Sequence, residues 1–154
     1  MIEIRLPYPP SANKLWTVGR KANGHGRTIL TREYYAFLSL LHALKANEPR
    51  LFPRLTASAY SVDIIFFPPR KGKVDVDNRN KAILDGLTRL GVWTDDSLVV
   101  KLTTIKGKPA QDPFAIVRIE PIDSFYLPSP SDFGGKDRTY KSEQKKNNRK
   151  ESKV

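Results

Sequence analysis

Four aspartates flank one short amphipathic segment of this chain, and their positions suggest a metal site. Asp75 and Asp77 alternate in a segment expected to be extended just before a helix, and Asp95 and Asp96 follow that helix and precede a strand. If the strands that flank the helix are neighbours, both acidic pairs meet at one edge of a sheet. Mg²⁺ prefers such a site, in which a few carboxylate oxygens, several waters and a substrate phosphate complete an octahedral shell.

The same aspartates also have structural interpretations, which the sequence leaves open. Asp75 and Asp77 could cap the first turn of the helix, and Asp95 and Asp96 could be ordinary turn residues. Asp85, inside the helix, is typical of a solvated helix position. The sequence therefore predicts candidates for metal ligands without excluding capping.

Two polar residues close to the first acidic pair suit phosphate chemistry. Asn78 directly follows the pair and could orient a ligand or a metal-bound water. Lys81 falls about one turn into the helix, where the helix dipole favours anions, so its ammonium could reach a phosphate. Hydrolysis of a phosphodiester needs charge neutralisation, a hydroxide near neutral pH and a stabilised leaving oxygen, and metal ions can supply all three.

The composition limits the classes of site that this chain can hold. Its 154 residues are 39% hydrophobic, as expected of one ordinary globular domain. The chain has no cysteine and only two histidines, His25 and His42, which disfavours zinc and excludes disulfides. Neither a signal-peptide core nor an apolar run of about 20 residues is found, so we expect a cytoplasmic, nucleoid-associated protein.

The net charge of +11 indicates a polyanionic partner. Residues 129–154 carry +4, which leaves +7 on residues 1–128, so the body of the protein is itself basic. A charged surface without a polyanionic partner is the alternative. The basic side chains that we expect to contact DNA phosphates are Lys14, Arg20, Lys21, Arg27, Arg70, Lys71 and Lys73.

Hydrophobic periodicity predicts four strands and two helices. Strands are expected at 2–6, 57–67, 99–105 and 114–119, with helices from a Thr31 N-cap to about Asn47 and over 83–90, the latter ending at Gly91. Residues 11–29 are expected to form an irregular, functional loop. We therefore expect an α/β (α+β) fold, with two helices packed on a mixed β-sheet. Residues 1–128 would form the domain and 129–154 a disordered basic tail.

Three segments, taken together, resemble the RusA family of Holliday junction resolvases. They are Leu-Pro-Tyr-Pro-Pro-Ser-Ala-Asn over 6–13, Asp-Val-Asp-Asn-Arg-Asn-Lys over 75–81 and Gly-Val-Trp-Thr-Asp-Asp over 91–96. The paired aspartates with a lysine four residues after the second, followed one helix later by Trp-x-Asp-Asp, make a fairly specific combination. The proline-rich opening would be weak by itself. This chain departs from the pattern by its longer 11–29 loop and its basic tail.

The resemblance implies a homodimeric, Mg²⁺-dependent endonuclease that resolves four-way DNA junctions by paired nicks in recombination and repair. It implies that Asp75, Asp77 and Asp96 are catalytic metal ligands and that Lys81 is essential, with Mn²⁺ a possible substitute for Mg²⁺. Asp96 is preferred as a ligand on this ground, and Asp95 is then expected to act in the outer shell with Asn78.

Two other functions remain open from the sequence. One is a less selective nuclease for flaps, forks or phage replication intermediates, and the other is a non-catalytic protein that binds branched DNA and whose acids are structural. Dependence of activity on a metal separates the two nucleases from the binding protein. Symmetric cutting of a fixed four-way junction separates a resolvase from a less selective nuclease.

Overall fold

The structure, a computed structural model, describes residues 1–20, 24, 26–70, 73–123 and 127–136, and for Arg20 only the backbone. The strands are β1 (Ile2–Pro7), β2 (Trp16–Arg20), β3 (Gly26–Leu30), β4 (Tyr60–Phe67), β5 (Val99–Lys106) and β6 (Phe114–Pro121). The helices are α1 (Arg32–Asn47) and α2 (Asn80–Arg89). Short 3₁₀ turns lie at Ala12–Lys14, Pro49–Leu51, Asp77–Arg79, Asp96–Leu98 and Pro130–Phe133.

Four strands form one mixed sheet in the order β1-β6-β4-β5. β6 runs antiparallel to both β1 and β4, while β4 and β5 are parallel neighbours. A parallel pair requires a crossover connection, and α2 provides it. The predicted fold class, a mixed sheet with two helices, is confirmed.

Alternation along the central strand decides which face of the sheet is buried. Tyr60, Val62, Ile64 and Phe66 of β4 are at most 1% exposed, as the period of two predicts, and their neighbours along the strand are partly exposed. The buried side chains of α1 and α2 belong to the same core cluster. This core fixes both helices relative to the sheet.

Both predicted helix boundary signals are confirmed. The Thr31 side chain caps α1 by accepting a hydrogen bond from the Tyr34 backbone N–H at 3.2 Å. Gly91, just after α2, has a φ of 72°, the left-handed conformation that favours glycine. The helices approach closely at Gly86, where a Cβ would lie 2.7 Å from a Leu41 methyl carbon.

The prediction of an irregular loop over 11–29 is wrong. β2 and β3 form an antiparallel hairpin there, with Trp16 opposite Leu30 and Arg20 opposite Gly26. Apart from Leu30, which is partly exposed, the side chains of β3 are exposed. A hairpin that buries neither face shows no hydrophobic alternation, so the periodicity of its sequence gave no signal.

The chain divides into two compact units, Met1–Ser124 and Phe125–Val154. In the second unit a 3₁₀ turn at Pro130–Phe133 has a capping box between Ser129 and Asp132. The predicted tail therefore begins with local structure, and its disorder beyond residue 136 lies outside the described residues. No helix among the described residues is both long and apolar enough to cross a membrane.

Two adjacent leucines on α1 test how the helix packs. Leu41 is 0% exposed and Leu40 is 53% exposed. We expect Leu41→Ala to lower the free energy of unfolding by about 2–5 kcal/mol, because it leaves a cavity in the core. Leu40→Ala, the matched control, should change it by less than about 0.5 kcal/mol. Urea unfolding measures both, and equal losses would show that α1 packs through a different face.

Candidate active site

The first acidic pair lies in the connection between β4 and α2. Asp75 and Asp77 are both exposed, and Val76 between them has a φ of −63° and a ψ of −37°. Asp77 begins the 3₁₀ turn that leads into α2. The pair therefore does not alternate in an extended segment, as the sequence suggested, because the chain already turns at Val76.

Neither carboxylate of this pair is used to cap a helix. No side chain caps α2 or the preceding 3₁₀ turn. One oxygen of Asp75 accepts a hydrogen bond from the Asn78 amide at 3.2 Å. The capping interpretation is therefore not supported, and the exposed oxygens are available to a ligand. Asn78 therefore contacts Asp75, and its role in orienting a ligand or a metal-bound water stays a prediction.

Arg79 anchors residues 75–79, which we call the acidic turn, to the body of the protein. Its guanidinium donates a hydrogen bond to the Pro9 carbonyl at 2.7 Å and lies 4.9 Å from the centre of the Tyr8 ring. Burial raises the pKa of the Tyr8 hydroxyl, and the positive charge of Arg79 opposes that rise. Sequence analysis missed Arg79, and its place between the acidic pair and Lys81 was the only available signal.

The start of α2 is also fixed on the sheet. The Asn80 side-chain oxygen accepts a hydrogen bond from the Thr104 hydroxyl at 3.0 Å, which joins α2 to the second half of β5. The 3₁₀ turn Ala12–Lys14 contacts both α2 and the turn Asp77–Arg79. The acidic pair thus lies beside the base of the β2–β3 hairpin.

Asp95 and Asp96, the second acidic pair, differ in their contacts. Asp95 accepts a hydrogen bond from the Ser97 backbone N–H at 2.8 Å and caps the 3₁₀ turn Asp96–Leu98. Hydrogen bonds from the Ser97 side chain and backbone hold the pKa of Asp95 below its usual value. The turn-residue interpretation therefore applies to Asp95, and its outer-shell role stays a prediction. Asp96 is partly exposed at the first position of the turn.

The two acidic pairs do not meet in one chain. Asp77 precedes α2, whose start is tied to Thr104 near the end of β5, whereas Asp96 precedes the start of β5. The 10 residues of α2 span about 15 Å between the two groups. Within the described part of the chain, no three carboxylate or imidazole side chains are grouped so that they could hold a metal. The expectation that both pairs meet at one edge is therefore wrong for a single chain, although β4 and β5 are neighbours.

Lys81, the second residue of α2, forms an ion pair with Asp85, which lies one turn further along the helix. Its ammonium lies 3.1 Å and 3.0 Å from the two carboxylate oxygens of Asp85. The Lys81 side chain is 55% exposed and that of Asp85 only 18%, so the solvated-helix interpretation of Asp85 is wrong. Asp85 also faces Tyr34 of α1: burial raises the pKa of the Tyr34 hydroxyl, the charge of Asp85 raises it further, and Arg89 lowers it.

The basic residues predicted to contact DNA are distributed over two places. Arg27, on the hairpin, and Arg70 and Lys73, between β4 and α2, are exposed. Lys14 is exposed and forms an ion pair with Glu33 at 3.4 Å. Of Arg20 only the backbone is described, at the end of β2, and Lys21 and Lys71 lie outside the described residues. Residues 11–32, which include the hairpin, contain five Lys or Arg and no Asp or Glu. The side chains of the hairpin that carry a formal charge are therefore all positive.

Uncapped carboxylates beside a lysine and a cationic hairpin define a candidate metal-dependent enzyme that acts on nucleic acid. The family model of the endodeoxyribonuclease RusA matches residues 7–120. A crossover junction endodeoxyribonuclease RusA of Escherichia coli O139:H28 is 32% identical over 103 residues, which are 67% of this chain and 80% of the relative. Proteins of the same name from Shigella sonnei and Enterobacteria phage 82 are 31% and 30% identical over the same shares.

This chain belongs to the RusA family of endodeoxyribonucleases. The match contains both acidic pairs, Lys81 and the hairpin, and it ends one residue before the last residue of β6. The resemblance inferred from the three sequence segments is confirmed.

The cap formed by Asp95 predicts a pH-dependent contribution to stability. Because its folded-state pKa is lowered, the contribution is fully present above the unfolded-state value, about 3.9, and is lost as the pH falls through the folded-state value. We expect Asp95→Ala to lower the thermal midpoint at neutral pH and to converge with the wild type in acid. Asp95→Asn is the control, because it keeps an acceptor without a charge. A pH-independent loss in Asp95→Ala would contradict the ionised cap.

Proposed function

We propose that this protein is a structure-selective endonuclease that resolves four-way DNA junctions by Mg²⁺-dependent hydrolysis of paired phosphodiesters. Family membership and the name of its relatives support this activity. The observation that carries the proposal is the acidic pair Asp75 and Asp77, which is exposed, uncapped and next to Lys81 in a strongly basic protein. Mn²⁺ is the expected substitute for Mg²⁺.

The residues of the acidic turn would hold the metal and position the phosphate. Asp75 and Asp77 offer hard carboxylate oxygens of the kind that Mg²⁺ prefers, and Asn78 fixes the orientation of Asp75. The metal, when bound, would neutralise the reacting phosphate and lower the pKa of water. Asp96 is the third proposed ligand, on the ground of the family resemblance.

Lys81 would act on the phosphate through its charge. Its side chain leaves α2 one turn from the acidic pair, at the helix end whose dipole favours anions. The Asp85 carboxylate contacts the ammonium and reduces the number of conformations of this long side chain. In this role the Lys81 ammonium would stabilise the negative charge that accumulates on the leaving oxygen.

The cationic hairpin and the 70–73 segment would contact DNA phosphates without reading sequence. Lys14, Arg20, Lys21, Arg27, Arg70, Lys71 and Lys73 are the side chains proposed for this role. Such contacts release counterions, so affinity should fall steeply as salt rises. The hairpin also exposes Trp16 (41%) and Val18 (74%), apolar groups suited to contact with unstacked bases at a branch point. The proposed site of action is DNA in the cytoplasm, at the nucleoid.

The first experiment is cleavage of a synthetic immobile four-way junction. Asp75→Asn and Asp77→Asn should each lower nicking by at least about 10²-fold while junction binding is kept or tightened, because a ligand is lost and the repulsion of phosphate falls. Nicks are mapped on all four strands with Mg²⁺ and with EDTA, and binding is measured by gel shift. Glu48→Gln, an exposed acid at the end of α1, is the matched control.

Each alternative function has a distinct result in that assay. Wild-type cleavage of flaps as fast as junctions, with unpaired nicks, would favour the less selective nuclease. Junction binding with no nicking at any metal concentration would favour a non-catalytic binding protein. Near-normal nicking by Asp75→Asn would remove that residue from the metal site.

The Lys81–Asp85 pair gives a second test. We expect Lys81→Ala to lose most of the cleavage rate and Asp85→Asn to lose part of it, because Asp85 acts by holding the ammonium. The double variant should then be no slower than Lys81→Ala alone. Rates at saturating protein are measured with the thermal midpoint as a control for folding. Additive losses would mean that Asp85 has a separate role, and faster cleavage by Asp85→Asn would mean that it restrains Lys81.

A further inference from the structure

The acidic turn has little internal support for the position of its two carboxylates. No side chain caps its 3₁₀ turn or the α2 helix that follows, and Asp75 and Asp77 are exposed. The hydrogen bond from Asn78 to Asp75 joins residues of the turn only. Fixing a backbone in one conformation costs conformational entropy. A turn of this kind therefore keeps one position only if groups outside it hold it there.

Arg79 supplies such an outside connection. Its guanidinium donates a hydrogen bond at 2.7 Å to the carbonyl of Pro9, which lies 70 positions earlier in the chain. Pro9 is buried, and none of the described backbone N–H groups donates to this carbonyl. Hydrogen bonds from a charged donor are stronger than those between neutral groups. Arg79 thus connects the last residue of the acidic turn to an acceptor in the body of the protein.

The acceptor belongs to a rigid segment. Three of the residues 7–10 are proline, whose ring fixes φ at about −65°. The segment continues β1, and every residue of β1 pairs with β6. The position of the Pro9 carbonyl is therefore set by the sheet, and Arg79 transfers it to the acidic turn.

Tyr8 contacts the same guanidinium. The guanidinium carbon of Arg79 lies 4.9 Å from the centre of the Tyr8 ring, within the range of a cation–π contact. The Tyr8 ring in turn meets Phe66 of β4 edge to face, with 6.4 Å between the ring centres. Phe66 is 0% exposed, so a series of contacts runs from the core through Tyr8 to Arg79.

Arg79 is not a charge partner of the acids. Among the described residues, no ion pair joins Arg79 to Asp75 or Asp77. Its Nε is buried and has no hydrogen-bond partner in the described part of the chain, which costs stability. Removing Arg79 would remove this cost together with the bond to Pro9. The two effects on folding stability oppose each other, whereas the acidic turn only loses support.

We propose that Arg79 is a positioning residue of the metal site, which holds Asp75 and Asp77 in a geometry that binds the metal before the metal arrives. It does so through the hydrogen bond to Pro9 and the contact with Tyr8. This proposal rests on the proposed function, because it takes Asp75 and Asp77 as metal ligands.

Calorimetric titration with Mn²⁺ tests the proposal without cleavage. Arg79→Met keeps an unbranched side chain and removes every donor, and we expect Mn²⁺ affinity to fall at least about 10-fold, as when outer groups that orient metal ligands are lost. Arg79→Lys, which keeps the charge but not the planar fork, should recover part of this loss. Arg50→Met, at an exposed arginine just after α1, is the matched control and should bind Mn²⁺ like the wild type. Equal affinities of Arg79→Met and the wild type would overturn the proposal.

Nicking of the four-way junction separates positioning from other roles of an arginine. Arg79→Met should need about 10-fold more Mg²⁺ for half-maximal nicking. Its rate at saturating Mg²⁺ and its KM for the junction should stay close to those of the wild type. A raised KM with a normal Mg²⁺ requirement would show that Arg79 contacts phosphate, and a lower thermal midpoint with a normal Mg²⁺ requirement would show a purely structural role. Either result would overturn the proposal.

Hydrogen exchange reports the acidic turn before a metal binds. In metal-free protein the backbone amides of residues 77–80 should exchange faster in Arg79→Met than in the wild type, because the turn has lost its connection to Pro9. Saturating Mn²⁺ should remove most of the difference, since the bound metal then orders the turn. Unchanged exchange in the metal-free variant would contradict a turn that Arg79 holds in advance.

Two substitutions at Tyr8 test the cation–π contact. The Tyr8 hydroxyl is buried and has no hydrogen-bond partner among the described residues, so Tyr8→Phe should keep the Mn²⁺ affinity. Tyr8→Leu removes the ring and should weaken Mn²⁺ binding, though by less than Arg79→Met because the bond to Pro9 remains. Equal affinities of Tyr8→Leu and Tyr8→Phe would overturn the part of the proposal that concerns Tyr8.

Failure of the proposed function gives a different result. A wild type that binds Mn²⁺ but nicks no junction would contradict the proposed function, and weaker Mn²⁺ binding by Arg79→Met would still support the positioning role. A wild type that nicks junctions, together with an Arg79→Met variant of unchanged Mn²⁺ affinity and Mg²⁺ requirement, would overturn the positioning role alone.

Discussion

The parallel pairing of β4 with β5 is the constraint on which the rest of the site depends. A parallel pair needs a crossover, so α2 must run back along the sheet against the direction of both strands. Its two ends therefore lie at opposite ends of the strands that it connects. Acids placed just before and just after such a helix are held apart, and packing of Ile83 and Leu87 in the core keeps them there.

The contact between α1 and α2 also positions polar side chains of α2. Gly86 allows Leu41 to approach closely, and the residue before it, Asp85, interacts electrostatically with Tyr34. A carboxylate with 18% exposure needs a compensating partner, and Lys81 on the same helix provides one at 3.0 Å. The apolar packing of α2 thus fixes the position of Asp85, the carboxylate that Lys81 contacts.

The sequence predicted those parts of the structure that depend on local pattern. Alternation located β1, β4 and β6, an apolar and β-branched run located β5, and Thr31 and Gly91 marked helix ends, because each signal depends on neighbouring residues alone. The β2–β3 hairpin was missed since it buries neither face. The meeting of the acids was wrongly predicted because strand direction depends on pairing between distant residues, which no local pattern records. Arg79 was missed for the same reason, as its partner Pro9 is 70 positions away.

The charge of the chain and the position of its acids have different consequences for a DNA substrate. A net charge of +11 favours contact with the phosphates that all DNA shares. The exposed carboxylates of Asp75 and Asp77 lie on a turn that Arg79 ties to the Pro9 carbonyl, so a phosphate has to approach this fixed position for the proposed hydrolysis to occur.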